Sequence, residues 1–208
     1  MKTGLFASSA IALFLTAAAA GAQSLSFGVG LTSNYMSRGA TQSNNGVALQ
    51  PWAEYENSGF YAGVWASNVD FGGPDNVEID LYGGYRWSTG DTNFDIGYAR
   101  YFYDSTGDAG GEAYLLVDHT IGEGASAFAG LYANLGGGVT LTDAHVGLSI
   151  PLFSGLSGSA RLGVTPGNNV YADVGVSYDV SDSLSVDLRA YRSNSTGPQY
   201  VLSTAFSF

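Results

Sequence analysis

Charged side chains occupy alternate positions in several segments of this sequence, so an extended chain would present them on one face. The residues concerned are Glu54, Glu56, Glu78, Asp80, Arg86, Asp95, Glu112, Asp118, Asp143, Arg161, Asp173, Asp187 and Arg189. Carboxylates outnumber arginines in this set. If the shared face lined a lumen, that lumen would attract cations and repel anions.

A second interpretation of the same residues is a fixed interior network of ion pairs. Glu78, Asp80 and Arg86 share one segment, and Asp187 and Arg189 share another, so opposite charges can pair across strands. Large rings share this inward parity: Tyr61, Trp65, Tyr82, Tyr101, Tyr103 and Tyr171. Such rings form a stacking surface for a sugar or aromatic solute, or they plug a narrow barrel. The sequence leaves an open pore and a packed lumen as alternatives.

Catalytic and cofactor chemistry is weakly supported. A hydrolase needs a serine activated by a neighbouring base. The histidines, His119 and His145, have no evident serine and acid partner at the spacing of neighbouring strands. The acidic segment 70–75 lacks the spacing of a calcium loop, and the glycines of 135–138 do not lead into a helix with a lysine. The chain has no cysteine, so a thiolate metal site is not available either. We therefore predict no enzyme activity, no cofactor and no metal.

Composition and charge bound the class of protein. Residues 1–22 resemble a secretory signal peptide, since Lys2 precedes an apolar run that ends in Ala20, Gly21 and Ala22. The remaining 23–208 fit a single domain. Seven basic residues face 18 acidic ones, which argues against nucleic acid as a partner. No later segment is apolar for the roughly 18 residues that a membrane helix needs, so any span must consist of strands.

Alternation of apolar and polar residues predicts strands along the whole mature chain. In the first segment Phe27, Val29 and Leu31 alternate with small or polar residues. The predicted strands are 25–35, 47–55, 60–67, 77–87, 93–103, 112–119, 125–133, 142–152, 159–164, 170–178, 184–191 and 199–208. Longer connections, such as 37–45, 68–76 and 104–111, alternate with tight ones, such as 57–59 and 88–92. An even strand number with tight turns at one end predicts an all-β, antiparallel, up-and-down transmembrane barrel of 12 strands.

Aromatic residues are sorted along the outward face. Phe27, Tyr55, Phe60, Tyr85, Trp87, Phe94, Tyr178, Phe206 and Phe208 fall at the end with the tight turns, and Tyr35, Phe102 and Tyr200 fall at the other end. The middles of these faces are mainly aliphatic. Two aromatic girdles around an aliphatic belt are typical of an outer-membrane barrel. A secreted β-sandwich explains the alternation but not the girdles.

Three sites fit this plan imperfectly. Pro51 lies in mid-strand, where its missing N–H predicts a bulge or an irregular register. Arg100 has lipid-facing parity, which is tolerable only near a rim. The alternation is weakest over 112–133, where the strand registers are not fixed by the sequence.

Several segments of the first half resemble the TorF-type family of outer-membrane porins. They are 31–42 (LTSNYMSRGATQ), 48–50 (ALQ), 58–69 (SGFYAGVWASNV) and 78–85 (EIDLYGGY). The resemblance covers roughly residues 30–103. It implies an outer-membrane barrel, and it brings no catalytic or ligand residues. Arg38 belongs to this stretch, and we expect it to contact lipopolysaccharide or to fold into the barrel mouth.

The sequence therefore predicts a monomeric porin-like barrel in the outer membrane, formed after export and signal cleavage. It would pass small solutes or ions passively, with a weak preference for cations. A closed structural barrel, an adhesin-like barrel and an outer-membrane lipid hydrolase are the alternatives. Predicted partners are outer-membrane lipids, small solutes or cations, and the barrel-assembly machinery, for which Phe208 is the candidate signal. The solute is not identified.

Overall fold

The computed structural model describes residues 23–208, and the predicted signal segment 1–22 lies outside this range. The strands of the described chain are β1 (Gln23–Thr32), β2 (Met36–Ser37), β3 (Ala40–Thr41), β4 (Ala48–Asn57), β5 (Phe60–Asn68), β6 (Val77–Thr89), β7 (Thr92–Tyr103), β8 (Gly107–Gly122), β9 (Ala125–Asn134), β10 (Thr140–Phe153), β11 (Leu156–Thr165), β12 (Asn169–Asp179), β13 (Leu184–Ser193) and β14 (Gln199–Ser207). The short strands β2 and β3 form a separate hairpin.

Within residues 23–208, twelve strands close into one antiparallel barrel, which confirms the predicted fold class. Each barrel strand pairs with its neighbour in the chain, and β1 pairs with both β4 and β14. The closing register sets Gly28 opposite Ser207 and Thr32 opposite Ser203. Closure leaves no unpaired edge. No helix of the described chain is long and apolar enough to cross a membrane.

Period-two alternation gives the barrel two unlike faces. On β12, Val174 and Val176 are exposed on the outside, whereas Tyr171 and Asp173 are buried within. Other strands repeat this pattern, so the exterior is a continuous belt of exposed apolar side chains. An apolar exterior of this extent suits contact with lipid rather than with water.

The end of the barrel where Gln23 and Phe208 lie, here the terminal end, has tight turns and outward rings that contact one another. Ser58 and Gly59 both have positive φ, 54° and 87°, as a two-residue type I′ hairpin requires. Trp87 stacks on Phe94 with ring centroids 5.0 Å apart. Tyr85 lies 5.9 Å from the Trp87 ring. These rings form part of the aromatic belt that the sequence predicts at this end.

The opposite end, here the loop end, differs from expectation in two places. The connection predicted at 104–111 spans only 104–106, because β8 continues to Gly107 and pairs with β7 across a bulge at Arg100 and Phe102. The prediction that Tyr35 faces outward is wrong. Strand β1 ends at Thr32, and the chain then turns inward and buries the Tyr35 ring.

The atypical sites have local explanations. Pro51 causes no register shift against β1; instead, the ladder between β4 and β5 stops at Trp52. Beyond that point the Asn68 side chain replaces ladder bonds by accepting from Leu49 N–H and donating to the Val47 carbonyl. The irregularity that Pro51 predicts therefore lies on the β5 side.

Arg100 is exposed and pairs with Asp108 at the loop end of the outer surface. This position is near a rim rather than at mid-depth, where an arginine facing lipid costs most.

The weakly alternating region 112–133 has a regular pairing of β8 with β9, interrupted near the turn by a shift between Thr120 and Gly122. Its alternation is weak because Leu116 is apolar yet buried inside, while the outward positions include the small residues Ala127 and Ala129.

Candidate functional site

The barrel interior is the candidate site, and strand register places its charged groups. Asp80 lies opposite Tyr101, and Arg86 lies opposite Asp95, on the inward faces of β6 and β7. The structure buries or half-buries all of the predicted lumen-lining residues: Glu54, Glu78, Asp80, Arg86, Asp95, Arg161, Asp173, Asp187 and Arg189. They do not form one site but separate clusters at different heights.

Arg86 is the centre of a cluster near the terminal end. Its Nη1 lies 2.6 Å from Glu54 Oε1 and 3.2 Å from Glu56 Oε2, and its Nε lies 3.1 Å from Asp95 Oδ2. The guanidinium also lies 3.7 Å from the centroid of the Tyr61 ring. One cation thus serves three carboxylates, and the cluster keeps an excess of negative charge.

Arg161 and Arg189 form a second cluster on the wall of β11, β12 and β13. Each donates to a different oxygen of Asp173, in both cases at 2.7 Å. Arg189 also donates to Asp187 at 3.1 Å and to Ser159 Oγ at 2.8 Å. Two arginines balance two carboxylates here, as the predicted network requires.

Glu78 and Asp80 differ from these clusters because neither has an arginine or histidine as an ion-pair partner in the described chain. Glu78 accepts hydrogen bonds from the hydroxyls of Tyr35 and Tyr103, both at 3.2 Å. Asp80 is fully buried, and within residues 23–208 both of its carboxylate oxygens lack a hydrogen-bond partner. Among the described side chains, this pair on β6 thus has phenolic donors at Glu78 and no donor at Asp80.

The segment 33–47 folds into the mouth at the loop end, and Arg38 anchors it. Its Nη1 and Nη2 donate to Glu112 Oε1 and Oε2 at 3.0 and 2.7 Å. Tyr101 OH donates to the same carboxylate at 2.8 Å, and the guanidinium lies 5.0 Å from the Tyr132 ring centroid. Of the two roles expected for Arg38, the structure shows the inward one.

A cavity of about 240 Å³ lies between this inward segment and the wall of β6 to β9. Residues that face it include Tyr35, Arg38, Glu78, Tyr101, Tyr103 and Glu112. It combines phenolic rings, one balanced ion pair and one carboxylate with no cationic partner.

Rings fill the interior along β4 to β9. Tyr61, Trp65 and Tyr82 belong to one buried cluster with Tyr114 and Tyr132. Tyr61 OH lies 2.5 Å from Asp95 Oδ1 and 2.6 Å from Tyr114 OH. Satisfied hydroxyls and close ring contacts favour a packed lumen in this part of the barrel over an open stacking surface.

Both histidines have polar partners: His145 an aspartate and His119 a threonine hydroxyl. His145 is buried inside the barrel, and its Nδ1 lies 2.7 Å from Asp143 Oδ2. Tyr171 OH donates to the other oxygen of Asp143 at 2.7 Å. Sequence reasoning placed Asp143 on the inward face but did not pair it with His145, although a spacing of two residues on one strand is a signal for that contact. His119 is exposed at the terminal end, with Nδ1 2.9 Å from Thr92 Oγ1.

The acidic loop 69–76 uses its carboxylates to hold the chain. Asp70 accepts from Gly72 N–H at 2.9 Å and from the Asn44 side chain at 3.2 Å. The hydrogen bond from Gly72 and then that from Asn44 lower the pKa of Asp70. Asp75 accepts from Thr106 N–H at 2.8 Å. Within residues 23–208, no group of three or more His, Cys, Asp or Glu side chains is placed to hold a metal.

Sequence reasoning gave an inward position as one of two roles for Arg38, but it did not identify Glu112 as the partner. Arg38 and Glu112 are 74 positions apart, and nothing in the local pattern of either residue indicates their contact. Tyr114 was also missed, although its parity with Glu112 on β8 is a signal that identifies it as inward.

A family model described as "Bacterial protein of unknown function (Gcw_chp)" matches residues 16–185. Among curated proteins, no sequence matches this chain.

Solved porin structures share the fold. A KdgM porin superposes with a TM-score of 0.67 at 10% identity, over 88% of this chain and 99% of that chain. The KdgM porin in complex with disordered oligogalacturonate gives 0.66 at 8% identity, over 89% and 99%. A NanC porin gives 0.57 at 10% identity, over 88% and 99%. At these identities the likeness concerns the barrel architecture alone.

Proposed function

We propose that this chain, which belongs to the Gcw_chp family of bacterial proteins of unknown function, is an outer-membrane barrel for passive passage of small solutes or ions. The observation that carries the proposal is a closed strand barrel with an apolar exterior and a charged interior. That inside-out polarity is what a span through lipid around a polar path requires. The fold shared with KdgM and NanC porins supports it. The resemblance to the TorF-type family stays a prediction.

A weak preference for cations is the finer part of the proposal. Ten carboxylates face the interior against the four arginines Arg38, Arg86, Arg161 and Arg189. Wall charge of one sign concentrates counter-ions and excludes ions of like charge. An anionic ligand such as the oligogalacturonate of the KdgM complex is therefore not proposed for this chain.

We propose a monomer placed in the outer membrane after export and signal cleavage, assembled through its C-terminal strand. Its partners would be outer-membrane lipids and the barrel-assembly machinery. A protein with this location should fractionate with outer membranes and change its gel mobility on boiling, because closed barrels often resist detergent until heated. Recovery as a soluble periplasmic protein would contradict the proposal.

Conductance is the direct test of function. Purified, refolded protein in a planar bilayer should give single-channel steps, and a heat-denatured sample in the same detergent is the matched control. A correctly folded barrel with no conductance would instead support the second candidate, a closed structural barrel, which the ring packing of Tyr61, Trp65 and Tyr82 favours.

We also propose that the protein is not a lipid hydrolase. His145 and Asp143 are paired inside the barrel rather than on the lipid-facing surface, where a lipid ester would approach. Incubation of the folded barrel with phospholipid should release no fatty acid. Release that disappears in a His145→Gln variant would contradict this.

A further inference from the structure

The cavity at the loop end has a charge imbalance that its own walls do not correct. Arg38 already has an ion-pair partner, since both terminal nitrogens donate to Glu112, which also accepts from Tyr101. Glu78 accepts only from the phenolic hydroxyls of Tyr35 and Tyr103 among the described residues. The cavity thus has one carboxylate with neutral donors alone, beside a balanced ion pair.

Asp80 adds an independent observation one layer below Glu78 on the same face of β6. It is 0% exposed, and both oxygens are without a hydrogen-bond partner in the described chain. Native proteins rarely leave a buried carboxylate unpartnered, because burying polar oxygens without hydrogen bonds costs free energy. Positive charge placed above it, next to Glu78, would relieve part of this cost.

The walls around Glu78 are aromatic. Tyr35 and Tyr103 both face the cavity and both donate to the Glu78 carboxylate, so their phenolic ends converge on it. Tyr101 lines the same space. Aromatic rings attract cations, and grouped rings are a common recognition element for ammonium groups; here a carboxylate lies among them.

We propose that this cavity binds a small organic cation whose ammonium group contacts Glu78 and the surrounding tyrosine rings. The inference deepens the proposed function, on which it rests for the arrival of solutes at the loop end, by naming the solute class of that vestibule. The volume of about 240 Å³ limits the ligand to a compact molecule, since pockets for drug-sized ligands are usually larger.

Other ligand classes fit less well. A calcium ion needs six or more oxygen ligands, whereas no cluster of three acidic or histidine side chains is arranged for a metal within residues 23–208. An anion would meet Glu78 while the nearby guanidinium of Arg38 is already occupied. A neutral sugar could stack on the rings but would leave the charge imbalance uncorrected.

Calorimetric titration of the folded barrel in detergent tests the proposal, with choline as the probe and 3,3-dimethylbutan-1-ol as its uncharged isostere. We expect choline to bind at least about tenfold more tightly than the isostere, which corresponds to about 1.4 kcal/mol. Glu78→Gln should weaken choline binding by at least about tenfold, consistent with loss of one charge-assisted contact. Asp182→Asn, a control in an exposed turn at the terminal end, should change it less than about twofold, since exposed and distant charges are screened.

A second variant protects the test if Glu78→Gln fails to fold. Tyr103→Leu keeps the Glu78 carboxylate but removes an aromatic ring. It should weaken the binding of choline more than the binding of ammonium. Equal binding of choline and the isostere would overturn the proposal, and so would unchanged choline binding in both variants. Binding of a sugar with the same affinity in the wild type and in Glu78→Gln would also overturn it. Because binding is measured without a channel assay, a non-conducting barrel that binds choline would contradict the proposed function but not this inference.

Discussion

At the scale of single residues, two interior arginines, Arg86 and Arg189, each pair with more than one carboxylate. Arg86 has the largest set, with Glu54, Glu56 and Asp95 all within 3.2 Å. Its side chain is 7% exposed. Removing one partner from a buried ionic cluster costs more than the cluster itself contributes, because the remaining charges stay buried without compensation.

Replacement of Arg86 by methionine should therefore destabilise the barrel strongly. We expect a loss of about 3–5 kcal/mol in the free energy of unfolding, measured as a lower urea midpoint in lipid vesicles. The matched control is Arg100→Met, since Arg100 forms an exposed pair with Asp108 and exposed pairs contribute little. Equal shifts in the two variants would show that burial of the Arg86 cluster does not determine its energetic role.

Asp104 gives a residue-scale prediction for pH. Its Oδ1 accepts from Asn76 N–H at 2.8 Å and from Val77 N–H at 3.2 Å. These hydrogen bonds, that of Asn76 first, hold the pKa of Asp104 below its ordinary value. A lowered folded pKa means that the stabilisation is complete above the unfolded pKa and is lost as pH falls through the folded one.

The Asn76 amide resonance should accordingly titrate with a midpoint below about 3.9, the usual pKa of an aspartate. NMR of the refolded barrel over the acidic range measures this, and Asp104→Asn should abolish the transition. A midpoint at or above the usual value would contradict the hydrogen-bonded loop.

At the scale of elements, inward rings pack against glycines on the neighbouring strand. Tyr114 on β8 lies over Gly97 on β7, and Tyr82 on β6 lies over Gly63 on β5. A glycine opposite an aromatic residue lets the ring lie flat against the strand, a recurrent device in barrels. The glycines of this chain are thus part of how a narrow barrel accommodates its interior rings.

Gly97→Ala should reduce stability by about 1–3 kcal/mol, as overpacking typically does. The added methyl group would meet the Tyr114 ring and lie 2.8 Å from the Gly83 carbonyl oxygen. Gly73→Ala is the control, because nothing lies within 4 Å of the corresponding position in that loop. The temperature at which each variant changes its mobility on a gel measures its stability. An unchanged temperature for Gly97→Ala would refute the packing account.

The last strand carries another element-scale prediction. Phe208 N–H donates to the Phe27 carbonyl at 2.9 Å, and its ring stacks on Phe27 at 5.1 Å and meets Phe206 at 4.6 Å. Deleting Phe208 removes a contact that joins β14 to β1, so we expect less assembled barrel with normal export. Heat-modifiable protein in membrane fractions measures this. The control is Phe153→Ala, because the Phe153 ring is 70% exposed at the same end of the barrel. Normal assembly of the truncated chain would show that Phe208 is not needed for assembly.

How far the sequence predicted these elements depended on the range of the interaction. Period-two alternation fixed strands such as β6 and β12 because side-chain direction in a strand is a local property. The segment 107–111 has no apolar alternation, yet it extends β8 through backbone pairing with β7 alone. Tyr35 and Arg38 turn inward through contacts with Glu78 and Glu112, far along the chain, which no local pattern encodes.

At the scale of the whole molecule, charge is distributed unevenly around the interior. The β11 to β13 wall is balanced by Arg161 and Arg189, whereas the β6 wall holds Glu78 and Asp80 without cationic partners. An ion that entered from the loop end would therefore meet Glu78 and Asp80 before it reached the Arg86 cluster. Fields inside a low-dielectric wall are screened less than fields at an exposed loop.

If the lumen conducts, reversal potentials across a salt gradient should favour cations, and the preference should shrink as salt rises because the Debye length shortens. Glu78→Gln combined with Asp80→Asn should weaken the preference more than Asp70→Asn combined with Asp75→Asn, since the second pair lies in an exposed loop. Both double variants remove the same formal charge, so their difference reports position alone. Equal effects from the two pairs, or an anion-selective pore, would mean that the β6 carboxylates do not set the field along the path.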